Sequence, residues 1–169
     1  VQHLLFLGGP PGVGKSTVAP LLAERLAPCA WVEADELWRM SPTVVSERTR
    51  RMVESNIVHV LREYLAAGYE HVFLSWVLHR HDLIERLMDA VPVSGSRHVV
   101  HLVATPDVLR ARLASDPARG RSVARTLERL AQIEALPYPK LDTSASSPAD
   151  VAERVFRQLR ETACTPGEK

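Results

Sequence analysis

Short apolar bursts alternate along this chain with longer segments in which apolar residues recur every three or four positions. The bursts predict buried strands and the longer segments amphipathic helices, and their regular alternation predicts an α/β protein with a parallel sheet. Residues 3–8 are a continuous apolar run, as a central strand covered on both faces requires. Residues 15–27 predict a helix with Val18, Leu21, Leu22 and Leu26 on one stripe. Pro20 removes an interior hydrogen bond there and predicts a kink. Residues 30–34, 70–77, 98–104 and 140–143 predict four more strands.

The helices between them carry start and stop signals. Ser41 and Pro42 suit an N-cap and a first helical position. Val45, Met52, Val53, Ile57, Val60, Leu61, Tyr64 and Leu65 then keep helical spacing as far as Gly68, which suits a left-handed cap. Residues 82–90 predict a short helix that buries Leu83, Ile84, Leu87 and Met88. Thr105, Pro106 and Asp107 begin another with a cap, a proline and an acid. Residues 115–122 have no period and predict a loop. Residues 123–136 return to helix, with Leu127, Leu130 and Ile133 inward and Pro137 and Pro139 as its stop. Ser147 and Pro148 open a last helix that buries Val151, Val155, Phe156 and Leu159. Five strands with right-handed helical crossovers predict a three-layer α/β/α sandwich around a five-stranded parallel sheet. One domain is expected over residues 1–163, with 164–169 a flexible tail.

Composition narrows the partners. A chain of 169 residues with 46% hydrophobic content has enough for one core and little for two. Twenty-one basic residues against twenty acidic ones leave a formal net charge of +1, so nothing global favours nucleic acid or anionic lipid. The histidines are scattered without metal-ligand spacing. Cys29 and Cys164 stand far apart, as in a reducing cytosol. No stretch reaches the ~18–20 apolar residues of a membrane span. The apolar start of the chain has no basic region before it and runs straight into Gly9, Pro10, Pro11 and Gly12, so it reads as a strand rather than a signal peptide. A cytoplasmic location is expected. No exposed apolar stripe stands out that would define an oligomeric state.

Residues 9–16 (Gly9, Pro10, Pro11, Gly12, Val13, Gly14, Lys15, Ser16) match G-x-x-x-x-G-K-[ST] without a mismatch, between an apolar strand and an amphipathic helix. Gly9, Gly12 and Gly14 let the backbone wrap an anion, and successive N–H groups then point inward. The helix N-terminus adds positive partial charge. Lys15 is placed to reach the β- and γ-phosphates of ATP, and the Ser16 hydroxyl to ligate Mg²⁺. GTPases need a guanine-reading N-K-x-D and a D-x-x-G switch, and neither is present. AAA+ ATPases share the loop's wording but need an Asp-Glu strand end and a further helical domain. The third strand instead reads Val72, Phe73, Leu74, Ser75, Trp76, with no acid.

The chain resembles the P-loop small-molecule kinases: shikimate and gluconate kinases, antibiotic phosphotransferases and nucleoside monophosphate kinases. The resemblance spans about residues 3–160. It implies ATP and Mg²⁺, with Pro11, Val13 and Thr17 completing the nucleotide contacts of the loop. Glu33 and Asp35 resemble the paired acids of shikimate kinases. Residues i and i+2 of a strand face one side, so both carboxylates can reach the crevice at the sheet's carboxyl edge. By that likeness Asp35 orients or deprotonates the acceptor hydroxyl and Glu33 supports Mg²⁺ through water. The basic residues around 115–122 resemble a lid: Arg119 and Arg121 would meet the transferred phosphate, while Arg125 flanks them. Arg112 would stack near the adenine or hold a phosphate, and residues 141–144 resemble the adenine-side loop. Arg110 and Arg129 read as ordinary solvated arginines.

The acceptor is expected between the ends of the second and third strands and the helix between them. Candidate lining residues are Trp38, Arg39, Arg48, Arg51, Trp76 and His79: tryptophans to stack on a ring, arginines for a carboxylate or phosphate. Each has a plain alternative, Trp76 as sheet core and Arg48 and Arg51 on a solvated helix face. The glycine-rich substrate loop of shikimate kinases and the full arginine set around a nucleoside monophosphate are missing. Gluconate-like and antibiotic-like acceptors stay open. So do two other readings, a regulatory ATPase without a small-molecule acceptor and a kinase of nucleic-acid ends.

Overall fold

The structure, a computed structural model, describes residues 1–116 and 120–163. Its elements run β1 (His3–Gly8), α1 (Lys15–Leu26), β2 (Cys29–Glu33), a 3₁₀ turn (Ala34–Trp38), α2 (Glu47–Ala66), β3 (His71–Ser75), α3 (His81–Ala90), β4 (Arg97–Val103), α4 (Pro106–Ser115), α5 (Val123–Glu134), β5 (Lys140–Asp142) and α6 (Pro148–Ala163). The five strands pair in parallel in the order β2-β3-β1-β4-β5. β1 therefore lies in the middle with β3 and β4 on either side.

The strand alternation sorts the core into two layers. Leu5 and Leu7 of β1 face α1 and α6 together with Val100, Leu102 and Phe73. Leu4 and Phe6 face α2 and α3 with Val72, Leu74 and Val32. Helices on both faces of an all-parallel sheet are the expected three layers.

Two local readings need correction. The second long helix does not begin at Pro42. Ser46 caps it: its hydroxyl accepts from Thr49 N at 3.2 Å, and Thr49 Oγ1 accepts from Ser46 N at 2.9 Å. That reciprocal pair satisfies two amide donors at once, which Ser41 followed by proline does not. Val45 consequently lies before the helix and is 62% exposed, while Met52, outside the buried stripe of Val53, Ile57, Leu61 and Leu65, is 44% exposed. The second correction is at β2, which ends at Glu33, so Asp35 stands on the 3₁₀ turn rather than the strand. Pro20 sits exposed within α1, which is assigned as one continuous helix.

Candidate active site

Gly9 leaves β1 at φ +150°, and a Cβ there would lie 2.7 Å from the Leu102 carbonyl oxygen. Only glycine lets the chain turn this close to β4. Gly14 is the N-cap of α1 at φ +107°, a left-handed conformation, with open space where its side chain would be. The first turn of α1 carries no acid and its N-cap makes no side-chain hydrogen bond, which suits an anion at the helix N-terminus. Lys15 folds back over the loop: its Nζ donates to the Gly9 carbonyl at 2.7 Å and the Pro10 carbonyl at 3.1 Å. Burial pushes its pKa down to about 8, against the attraction of Asp35 and Glu33 and together with repulsion from Arg121. Four charges from three parts of the chain thus meet here.

The cleft above this loop measures about 1070 Å³. Pro11 to Val18 form its floor, and Glu33, Asp35, Trp38, Ser75, Trp76 and Val77 form one end. Arg112, Arg121, Arg125, Arg129 and Thr143 lie on other sides. Arg121, Arg125 and Arg129 are four residues apart. On a helix that spacing puts Arg125 and Arg129 of α5 on one face, about 6 Å apart along the axis. Ser122 caps α5 through Arg125 N at 3.3 Å and sets where that face begins.

Arg112 has a scaffolding task the sequence did not show. Its guanidinium donates to Val13 O at 3.1 Å, Thr143 Oγ1 at 3.0 Å and Thr143 O at 2.8 Å. It bolts the phosphate loop to the segment after β5. Glu33 is half-buried, and burial raises its pKa while the Ser75 hydroxyl and Lys15 pull it back.

Arg39 and Arg48 do not line the cleft. Arg39 pairs with Glu36 at 2.5 Å on the surface, and Arg48 is exposed on the first turn of α2. Arg51 likewise pairs with Glu47 in solvent. These correct the sequence-based placement: Arg39 precedes α2 on the surface, and the buried stripe of Val53, Ile57, Leu61 and Leu65 turns Arg48 and Arg51 to solvent. Arg129, read as a solvated arginine, is half-buried and lines the cleft instead. Only its spacing from Arg121 and Arg125 could have revealed this. Arg119 lies outside the described residues, as does the expected tail at 164–169. His79 sits beside the cleft wall with its Nδ1 buried and without a hydrogen-bond partner. Burial and the nearby Arg129, Arg80 and Arg50 push its pKa down to about 4.

The Ser16 hydroxyl is exposed at the head of α1, and the Glu33 carboxylate lines the same cleft. Two hard oxygen ligands suit Mg²⁺, which keeps several waters and takes further ligands from phosphate. Among the described residues no cluster of His, Cys, Asp and Glu forms a metal cage. No helix among them is long and apolar enough to cross a membrane.

The glycine loop between a central parallel strand and a helix, with its lysine turned over the anion cradle, defines a P-loop nucleotide-binding protein of the kinase fold. Residues 5–132 match the family described as AAA domain, and the chain belongs to that family. The features that set AAA+ ATPases aside, an acidic end to β3 and a further helical domain, do not occur among the described residues. No curated protein matches significantly. The fold is shared with a gluconokinase from Sinorhizobium meliloti 1021 (19% identity, 95% of this chain and 93% of that one, TM-score 0.72). It is shared as well with the tunicamycin resistance protein of Deinococcus radiodurans (22%, 98% and 100%, 0.72). A third likeness is the shikimate kinase of Acinetobacter baumannii in complex with shikimate (17%, 98% and 97%, 0.68).

Proposed function

We propose that this protein is an ATP-dependent phosphotransferase that moves the γ-phosphate to a hydroxyl or phosphate group of a small molecule. The observation that carries this reading is the shape of the cleft. At about 1070 Å³ it runs from the phosphate loop to Asp35, Trp38, Ser75, Trp76 and Val77. That is the upper end of the roughly 300–1,000 Å³ of ligand pockets, and the lining beyond the phosphate loop suits an acceptor beside the nucleotide.

Lys15 and the N–H groups of the loop hold the phosphates, and Arg121 meets the charge that develops on the transferred group. Asp35 holds or takes the proton of the acceptor hydroxyl and aims its oxygen in line. Ser16, and Glu33 through water, would hold Mg²⁺, which would neutralise the phosphate oxygens. Arg129, which lines the cleft and lies near His79, suits an acceptor with a carboxylate or phosphate group.

The test is ADP release from ATP-Mg²⁺ against hydroxy acids, sugar phosphates, nucleosides, nucleoside monophosphates and neutral antibiotics, with Lys15→Ala alongside. Acceptor-dependent release that the variant loses supports the reading and gives the acceptor class. A flat panel with slow basal hydrolysis sinks it. The missing acid on β3 favours a second reading, a regulatory ATPase, whose hydrolysis would grow with a protein partner and with no small molecule.

A further inference from the structure

The acceptor wall at Trp76 and Val77 is fixed from behind by a residue that never reaches the cleft. His101 lies in β4 with no exposure to solvent, and its Nε2 is 2.8 Å from the Leu78 carbonyl oxygen. A carbonyl can only accept, so Nε2 carries the hydrogen and Nδ1 is bare. That Nδ1 is buried and has no hydrogen-bond partner. The ring needs the space that Gly8 leaves: a Cβ on Gly8 would stand 2.5 Å from His101 Nε2. Tyr138 stacks on the other side at 5.9 Å between ring centres.

The residue that His101 holds is unusual. Leu78 is fully buried at φ +44°, the one positive φ outside glycine among the described residues. A leucine in the left-handed region is strained and persists only where its surroundings hold it. Here three ties act on one short segment. Trp76 N donates to Leu7 O at 3.2 Å, Gly9 N donates to Val77 O at 3.3 Å, and His101 holds Leu78 O. The turn thereby sets the end of β3 against the first residue of the phosphate loop, whose carbonyl in turn accepts from Lys15.

We propose that His101 is a positioning residue that locks the Trp76–Leu78 turn in its left-handed form and so fixes the acceptor wall relative to the phosphate loop. The inference rests on the phosphotransferase reading for the wall's role, but the lock is measured without any acceptor. Burial lowers the His101 pKa to about 4, with Lys140 and Lys15 adding to the effect, which keeps the ring neutral for this bond.

The variants are His101→Phe, which keeps the ring and loses the donor, and His101→Gln, whose amide returns a donor near Nε2. Amide hydrogen exchange over residues 76–80 is followed by mass spectrometry, together with affinity for the non-hydrolysable ATP analogue AMP-PNP with Mg²⁺. Exchange over 76–80 is expected to rise about tenfold in His101→Phe, to return toward wild type in His101→Gln, and to leave α3 and α6 unchanged. AMP-PNP affinity is expected to stay within about threefold, because the loop keeps its own glycines and Lys15. A rise spread evenly over the protein, or no return in His101→Gln, overturns the proposal. Should His101→Phe fail to fold, the wild type decides. Long-range ¹H–¹⁵N spectra between pH 6 and 8 must show the Nε2–H tautomer, and an Nδ1–H tautomer overturns the lock. A flat acceptor panel with the local exchange response intact would sink the phosphotransferase reading and leave the lock standing.

Discussion

Glu33 and Ser75 are register partners across β2 and β3, and the buried Ser75 hydroxyl donates to Glu33 Oε2 at 3.3 Å. β3 carries no acid of its own, and the neighbouring strand places one at the same level of the sheet. Glu33→Gln keeps the shape and removes the charge. It is expected to raise the Mg²⁺ concentration needed for half-maximal nucleotide binding by about tenfold, with Ser75→Ala giving a smaller rise. A Mg²⁺ titration of nucleotide binding checks both, and an unchanged midpoint in Glu33→Gln removes Glu33 from the metal's surroundings.

Lys15 gives nucleotide binding a pH dependence of known sign. With its pKa near 8 in the free protein, it loses its charge as pH rises above that value. Bound phosphates favour the charged form and raise the pKa again, so binding takes up a proton there. ATP affinity is expected to fall between pH 7.5 and 9.5, and Lys15→Arg, charged throughout, to bind with a flatter profile. Titration calorimetry in buffers of different ionisation enthalpy measures the proton uptake directly. Lys15→Ala is expected to abolish turnover with the far-ultraviolet circular dichroism unchanged.

Arg129 lines the cleft and Arg48 does not, the reverse of what their sequence contexts suggested. Arg129→Ala is expected to raise the KM of an anionic acceptor about tenfold or more, while Arg48→Ala stays within about twofold. Steady-state kinetics with the best acceptor of the panel separates them. Equal effects would show that the acceptor approaches from the α2 side.

Arg112 binds two backbone carbonyls and one hydroxyl from segments far apart in the chain. Its removal leaves the Val13 and Thr143 carbonyls with fewer partners. Arg112→Ala is expected to cost about 2–3 kcal/mol and to lower the melting temperature by roughly 5–10 °C. Arg112→Lys is expected to recover little, since one ammonium cannot span the fork. Thermal denaturation without nucleotide tests this, because a purely ligand-binding arginine would leave that melting temperature unchanged.

Four histidines are expected to weaken the fold in acid. His71, His79, His98 and His101 all have lowered pKa values, chiefly through burial, and those of His79 and His101 reach about 4. Between that value and the ordinary 6.5 the unfolded chain binds more protons than the folded one. Stability is therefore fully present above about pH 6.5 and is lost as pH falls toward 4. Fully buried His101 alone accounts for about 3 kcal/mol across this window. Urea unfolding at pH 7 and pH 5 should show the loss, and His101→Gln should reduce it.

Local chemistry made the phosphate loop legible. Glycine placement, an apolar strand before it and a helix after it all act within about twenty residues, and sequence carries such short-range constraints openly. The same holds for β1 and β3, whose continuous apolar runs follow from burial on both faces. The helix starts at Glu47 rather than Pro42 because Ser46 and Thr49 satisfy two amide donors through reciprocal hydrogen bonds, a contact visible only in the folded backbone.

By itself the sequence determined the fold class, the anion cradle and the lysine over it, since each depends on residues close together in the chain. Only the tertiary structure decided the strand order β2-β3-β1-β4-β5. With that order came the pairing of Glu33 with Ser75, the bolt of Arg112 onto Val13 and Thr143, the turn of Arg129 into the cleft and the grip of His101 on Leu78. These contacts join residues from 23 to 99 positions apart. Their partners are chosen by which side chains the packed sheet and helices bring within hydrogen-bond reach, and no periodicity in the chain encodes that distance.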